Sequence, residues 1–168
     1  MAILDCLSDT LERDDILWVL GDVCLGDRVA GLGLLNGIQC RKFLVTGNHD
    51  HCWAGGSEGR RKEALYRQTF EYVTPFAKIK IPGGADKVLL SHFPYEGGGD
   101  HTPEERFAQF RLPDLGRTLL HGHTHTRDIV SLGPNLGLQV HVGWDAWGRP
   151  VEASEVTSVI NKNTEREI

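Results

Sequence analysis

Apolar positions along the chain follow two alternating patterns. Ile3, Leu4, Leu7 and Leu11 recur at helical spacing, which predicts an amphipathic helix over residues 3–11 with one face on a core. After the turn-forming Arg13-Asp14-Asp15 comes Ile16-Leu17-Trp18-Val19-Leu20, a continuous apolar run of strand length that ends at Gly21-Asp22. Such a run suits a strand covered on both faces. Three further runs behave alike: Phe43-Leu44-Val45 leads into Thr46-Gly47-Asn48-His49-Asp50, Val88-Leu89-Leu90 into Ser91-His92, and Thr118-Leu119-Leu120 into His121-Gly122-His123-Thr124-His125. Each predicted strand therefore ends on a polar residue able to bind a metal. In sheets with parallel strands, ligands gather outside the carboxyl ends of the strands, so the four termini are expected to meet.

Between these strands the periodicity predicts helices over residues 60–72 and about 27–36, the latter interrupted by Gly31 and Gly33. A closing helix is predicted over 152–162, with Val156, Val159 and Ile160 on one face. Leu138 to Val142 alternates like a half-exposed strand before Gly143-Trp144-Asp145-Ala146-Trp147. Glycine-rich loops are expected at 54–59 and 96–100. No repeat, low-complexity linker or block of like charge interrupts this order, so a single α/β domain over residues 1–168 is expected.

Composition narrows the partners. Eighteen Lys and Arg against 23 Asp and Glu leave a net charge of -5, which argues against duplex nucleic acid and leaves a small phosphorylated substrate open. No apolar run approaches the roughly 20 residues of a membrane span. The first 13 residues carry three acids before their first Arg, the reverse of an export leader. Cys6, Cys24, Cys40 and Cys52 form no C-x-x-C pair and read as free thiols of a cytoplasmic protein.

Chemistry concentrates in Asp22, Asn48, His92, His123 and His125. One carboxylate, one amide oxygen and three imidazoles suit a divalent ion of the Mn, Fe or Zn class and not a thiolate site. Singly, each has an ordinary structural explanation: Gly-Asp as a plain turn, His92 as a buried core histidine, and His121, His123 and His125 as neighbours on one strand face by the two-residue period. Their joint occurrence, in this order, outweighs those explanations.

The ordered set Gly21-Asp22, Gly47-Asn48-His49-Asp50, His92 and Gly122-His123-Thr124-His125 resembles the signature of the calcineurin-like metallophosphoesterases. Ser91-His92-Phe93-Pro94-Tyr95 and Val142-Gly143-x-Asp145-Ala146-Trp147 are similar to segments of small single-domain members from bacteria and phages. The resemblance implies a layered β-sandwich flanked by helices and a pair of divalent metal ions, of the Mn, Fe, Zn or Ni class. It makes Asp22 the carboxylate bridging the two ions, with Asn48, His92 and His123 completing one site and His125 serving the other. It makes His49 the proton donor to the leaving group and Asp50 its supporting carboxylate. Two cations about 3.5–4 Å apart polarise a phosphoryl group and present a nucleophile for in-line attack. Imidazole, with a pKa near 6.5, can protonate a departing alkoxide at neutral pH. Hydrolysis of phosphoesters is implied, with small nucleotide-like phosphodiesters as the expected substrates.

One departure accompanies the match. The family signature opens with Asp-x-His on a strand ahead of Gly21-Asp22, yet the 20 residues before Gly21 contain no histidine, and no capping residue precedes Ile3. The expectation is a chain that starts inside the helix following that motif, without its first strand and half of one metal site. The alternative reading is a catalytically weak or inactive remnant binding a single divalent ion; a histidine-rich storage or sensing protein is a third. Among other residues, Arg60-Arg61-Lys62 and Arg67 read as a solvated helix face before a phosphate site. His51 and His121 read as structural neighbours of the ligands, Trp144 and Trp147 as core aromatics before nucleobase stackers, and His101 as a loop residue without a role.

Overall fold

The computed structural model describes residues 3–84, 86–97 and 106–164; His101 and the end of the 96–100 loop lie outside them. The chain divides into two compact units, residues 1–76 and 77–168. Two sheets and five α-helices are present among the described residues, a mixed α/β fold in agreement with the class expected from the sequence.

The first unit alternates helix and strand: α1 (Ile3–Thr10), β1 (Ile16–Val19), α2 (Arg28–Asn36), β2 (Arg41–Val45), α3 (Gly59–Tyr66) and β3 (Tyr72–Thr74). The strands form a parallel sheet in the order β1-β2-β3, with Ile16 opposite Arg41 and Phe43 opposite Tyr72. Leu44, fully buried, Leu17, Val19 and Val73 pack against Leu7, Leu32, Leu35, Tyr66 and Phe70. The opposite face carries Trp18, Phe43 and Tyr72 in edge-to-face contact, with centroids 5.1–6.3 Å apart. β1 sits at the sheet's edge, so Ile16 is 48% exposed and the run is not covered on both faces as its composition suggested. α2 begins where the Asp27 carboxylate accepts from the backbone N–H groups of Val29 and Ala30. Its Gly31 lies against the Cys24 thiol, where a Cβ would fall 2.6 Å from the sulfur, so close approach explains a glycine inside this helix.

The helix expected over 60–72 ends at Tyr66, and residues 72–74 form β3 instead. Tyr72-Val73-Thr74 is aromatic and β-branched, and pairing with Phe43-Leu44-Val45 outweighs continuation of the helix.

The second unit is built on a five-stranded sheet of order β4-β5-β6-β8-β7, from β4 (Phe76–Lys80), β5 (Lys87–Ser91), β6 (Leu119–His121), β7 (Val130–Leu132) and β8 (Leu138–His141). β5, β6 and β8 run parallel, and β7 pairs antiparallel with β8. β4 lies at one edge and alternates exposed Phe76, Lys78 and Lys80 with half-buried Ala77 and Ile79, charges that suit an unpaired edge. α4 (Trp144–Trp147) and α5 (Ala153–Thr164) follow the sheet. α5 is held by the buried Thr157, whose hydroxyl donates to the Pro82 carbonyl at 2.8 Å. The turn between β7 and β8 is fixed by Asp114, whose carboxylate accepts from the backbone N–H groups of Gly116, Asn135 and Gly137. Burial alone would raise its pKa; these three donors reverse the effect and hold it below the ordinary carboxylate value.

Candidate functional site

In the first unit, parallel pairing brings the exits of β1 and β2 side by side, and Asp50 ties them together. Its carboxylate is 3% exposed; Oδ2 accepts from the N–H groups of Gly47 at 2.8 Å and Asp22 at 3.0 Å, and Oδ1 from that of Val23 at 3.0 Å. The tie is reciprocal, because Asp22 Oδ1 accepts from the His49 N–H at 2.9 Å. Gly21 and Asp22 both have positive φ, 89° and 54°, a tight turn that places the Asp22 carboxylate off the end of β1. Asp tolerates this left-handed region better than most side chains. Asp22, Asn48 and His49 are thus brought onto one pair of clamped turns, with Asn48 half-buried and His49 exposed. Burial is the leading effect on Asp50 and raises its pKa against the three N–H donors, with the neighbouring Asp22 charge adding to the rise.

In the second unit, the exits of β5 and β6 lie side by side, and the Gly122 N–H donates to the His92 carbonyl at 3.1 Å. A left-handed turn at His123, φ 65°, swings its ring back beside His92. Both rings are buried, at 2% and 8% exposure, with His92 Nε2 and His123 Nδ1 3.2 Å apart. Phe93 meets both imidazoles edge-on, at 5.0 and 4.9 Å, and Phe107 closes on Phe93 at 5.4 Å. His125 is exposed, and its Nδ1 lies 3.0 Å from Asp145 Oδ2.

His121 and His141 face each other across paired β6 and β8 and stack at 5.4 Å with 18° between planes, both 2% exposed. His121 Nδ1 lies 2.8 Å from the Gly122 carbonyl, to which it can only donate. Burial, aided by the neighbouring histidines, depresses His121 to about 3, and burial likewise lowers His141 against the opposing Asp145 charge, so the stack is neutral at physiological pH. Cys52 is pushed up to about 12, chiefly by burial, so it stays a protonated thiol at physiological pH.

The remaining sequence candidates have plain surroundings. Arg61 and Lys62 lie 3.8 and 4.0 Å from Glu58, and Arg67 pairs with Glu63 one turn back, so α3 carries its charges as local pairs on its exposed face. The His51 backbone N–H donates to the Tyr66 hydroxyl at 3.0 Å. Trp144 and Trp147 are half-buried, and the Trp147 indole donates to the His141 carbonyl at 2.8 Å. Asp145 and the buried Gln139, which accepts from the backbone of Tyr95 and Glu96 beyond His92, were not singled out by sequence. Only the Gly-Trp-Asp-Ala-Trp segment hinted at the first.

The donor chemistry fits a divalent cation. Metal–nitrogen bonds of about 2.0–2.1 Å meeting at roughly 90–110° separate two ring nitrogens by about 2.9–3.4 Å. The 3.2 Å between His92 and His123 falls in that range, and a pair of imidazole nitrogens suits a divalent ion of the Zn, Mn or Fe class.

A fold of this kind, with carboxylate, amide and imidazole donors at the exits of parallel strands, belongs to a known class. The chain is a member of the calcineurin-like phosphoesterase family, whose model matches residues 2–127 and whose chemistry is divalent-metal-dependent phosphoester hydrolysis. It is 40% identical over 168 residues to the Gene 66 protein of Mycobacterium phage L5, covering 95% of this chain and 80% of that one. It is 43% identical over 167 residues to the Gene 66 protein of Mycobacterium phage D29, covering 96% and 82%. The fold is also that of a protein of unknown function from Aquifex aeolicus, with a TM-score of 0.64 at 24% identity over 94% of this chain and 82% of that one.

Proposed function

We propose that this chain is itself a hydrolase of small nucleotide-like phosphodiesters, using manganese or a related divalent ion held by Asp22, Asn48, His92, His123 and His125. The buried His92–His123 pair carries this reading, because its 3.2 Å spacing and its aromatic walls suit a shared cation. Two bound ions would supply Lewis acidity toward a phosphoryl oxygen and an activated water as nucleophile. Asp50 holds the turns bearing Asp22 and Asn48, so these donors are oriented before substrate arrives. In this reading the exposed His49, whose backbone N–H donates to the Asp22 carboxylate, protonates the leaving oxygen. The net charge of -5 favours a small substrate over duplex DNA, and free thiols at all four cysteines suit a cytoplasmic protein. No described helix is long and apolar enough to cross a membrane.

The decisive experiment is hydrolysis of bis(p-nitrophenyl) phosphate with Mn²⁺, with metal content measured on the same sample. Turnover should appear with Mn²⁺, exceed that of the corresponding monoester, and vanish in His92→Ala and Asn48→Ala. Full activity in excess chelator would refute the metal mechanism. Two ions per chain would support the dinuclear form, whereas one ion without turnover would favour the single-metal binding protein.

A further inference from the structure

Val142-Gly143-Trp144-Asp145-Ala146-Trp147 has no assigned role, yet it is built with care. β8 is in register with β6, His141 opposite His121, so the segment leaving β8 is fixed to the strand that leads into Gly122-His123-Thr124-His125. Gly143 packs directly on the His141 imidazole: a Cβ there would overlap Nε2 and lie 3.1–3.2 Å from two ring carbons of a buried side chain. The Trp147 indole donates to the His141 carbonyl at 2.8 Å and folds α4 back on β8. Gly148, with φ 65°, closes the turn through its N–H to the Trp144 carbonyl at 2.7 Å. What these contacts position is Asp145, whose Oδ2 lies 3.0 Å from His125 Nδ1.

Stability does not account for this placement. Both partners are about half exposed, 48% and 50%, and such solvent-screened pairs contribute little to stability. A neutral imidazole has one N–H and one lone pair, and the nitrogen that donates determines which one is left to coordinate. We infer that Asp145 is a positioning residue that holds the Nδ1–H tautomer of His125 and so presents Nε2 as a metal-binding atom. The inference rests on the proposed role of His125 as a metal ligand and extends it to a residue outside the ligand set.

The test compares wild type with Asp145→Asn and Asp145→Ala by two measurements besides activity. In the metal-free protein, the nitrogen resonances of His125 should report Nδ1–H in wild type and shift toward Nε2–H, the form imidazole favours in water, in Asp145→Ala. By calorimetry, Mn²⁺ affinity should fall about 10–100-fold in Asp145→Ala and less in Asp145→Asn, which keeps an acceptor oxygen. Melting temperatures of the metal-free proteins should agree, which a purely structural role would not give. An unchanged His125 tautomer, or unchanged Mn²⁺ affinity with wild type still binding the ion, would overturn the role of Asp145. Failure of wild type to bind Mn²⁺ would instead overturn the underlying metal-site reading.

Discussion

Asp50 shows how much one side chain can carry. Three backbone N–H groups from two different turns converge on a carboxylate that is 3% exposed, and both of its oxygens are used. Asn is nearly isosteric but offers one acceptor and an NH₂ group, which must face at least one of the same donors. Asp50→Asn is therefore expected to lose about 2–3 kcal/mol, the cost of buried donors left unpaired. It should also lower Mn²⁺-supported activity more than tenfold by releasing the turns bearing Asp22 and Asn48. Urea denaturation and steady-state assays check the two halves; unchanged stability would mean that the clamp is not formed in solution.

At the scale of elements, most of the periodic segments are found where their patterns placed them. The amphipathic run at 3–11 is α1, the closing helix at 152–162 is α5, and the apolar runs are β1, β2, β5 and β6. The failures are short or depend on partners. β3 and β7 are three residues each, too short for a period to declare itself, and form because β2 and β8 offer them a ladder. β4, which the sequence reading does not predict, alternates half-buried Ala77 and Ile79 with exposed Phe76, Lys78 and Lys80, too short a pattern to stand out before its partner strand is known. The contact of α4 with β8 yields its own prediction. In Gly143→Ala the new methyl would meet a His141 ring stacked on His121, with no room to retreat. Overpacking of this kind costs about 1–3 kcal/mol, and thermal melting should show the loss. Because α4 carries Asp145, Mn²⁺ affinity should fall as well, and a variant as stable and as tight-binding as wild type would refute this account.

For the whole molecule, the buried neutral histidines couple folding to pH. His121 is lowered to about 3, and His141 is lowered too, whereas an unfolded histidine titrates near 6.5. Between those values the unfolded chain binds more protons than the folded one. Stability is therefore fully present above about pH 6.5 and declines as the pH falls toward 3. Asp50, with its raised pKa, acts in the opposite sense: its contribution is largest when protonated and is lost as pH rises through its folded value. Denaturation of the metal-free protein between pH 5 and 7.5 should show stability rising with pH, and His121→Gln should flatten that slope. A slope unchanged by the substitution would show that the stack is not the source.

What the sequence determined by itself was an order and a chemistry. Apolar runs of strand length, each followed by oxygen or imidazole donors, are local properties; they indicate an α/β fold and single out Asp22, Asn48, His92, His123 and His125, and the resemblance of the ordered motifs to the calcineurin-like family adds the phosphoesterase reading. Which of those donors acquire neighbours, and which neighbours, was decided only in three dimensions. Asp50 reaches back 28 residues to Asp22, His92 meets His123 across 31, and His125 meets Asp145 across 20. Strand register and left-handed turns at Asp22 and His123 create these encounters. Both depend on pairing between distant segments, so no window of sequence contains them.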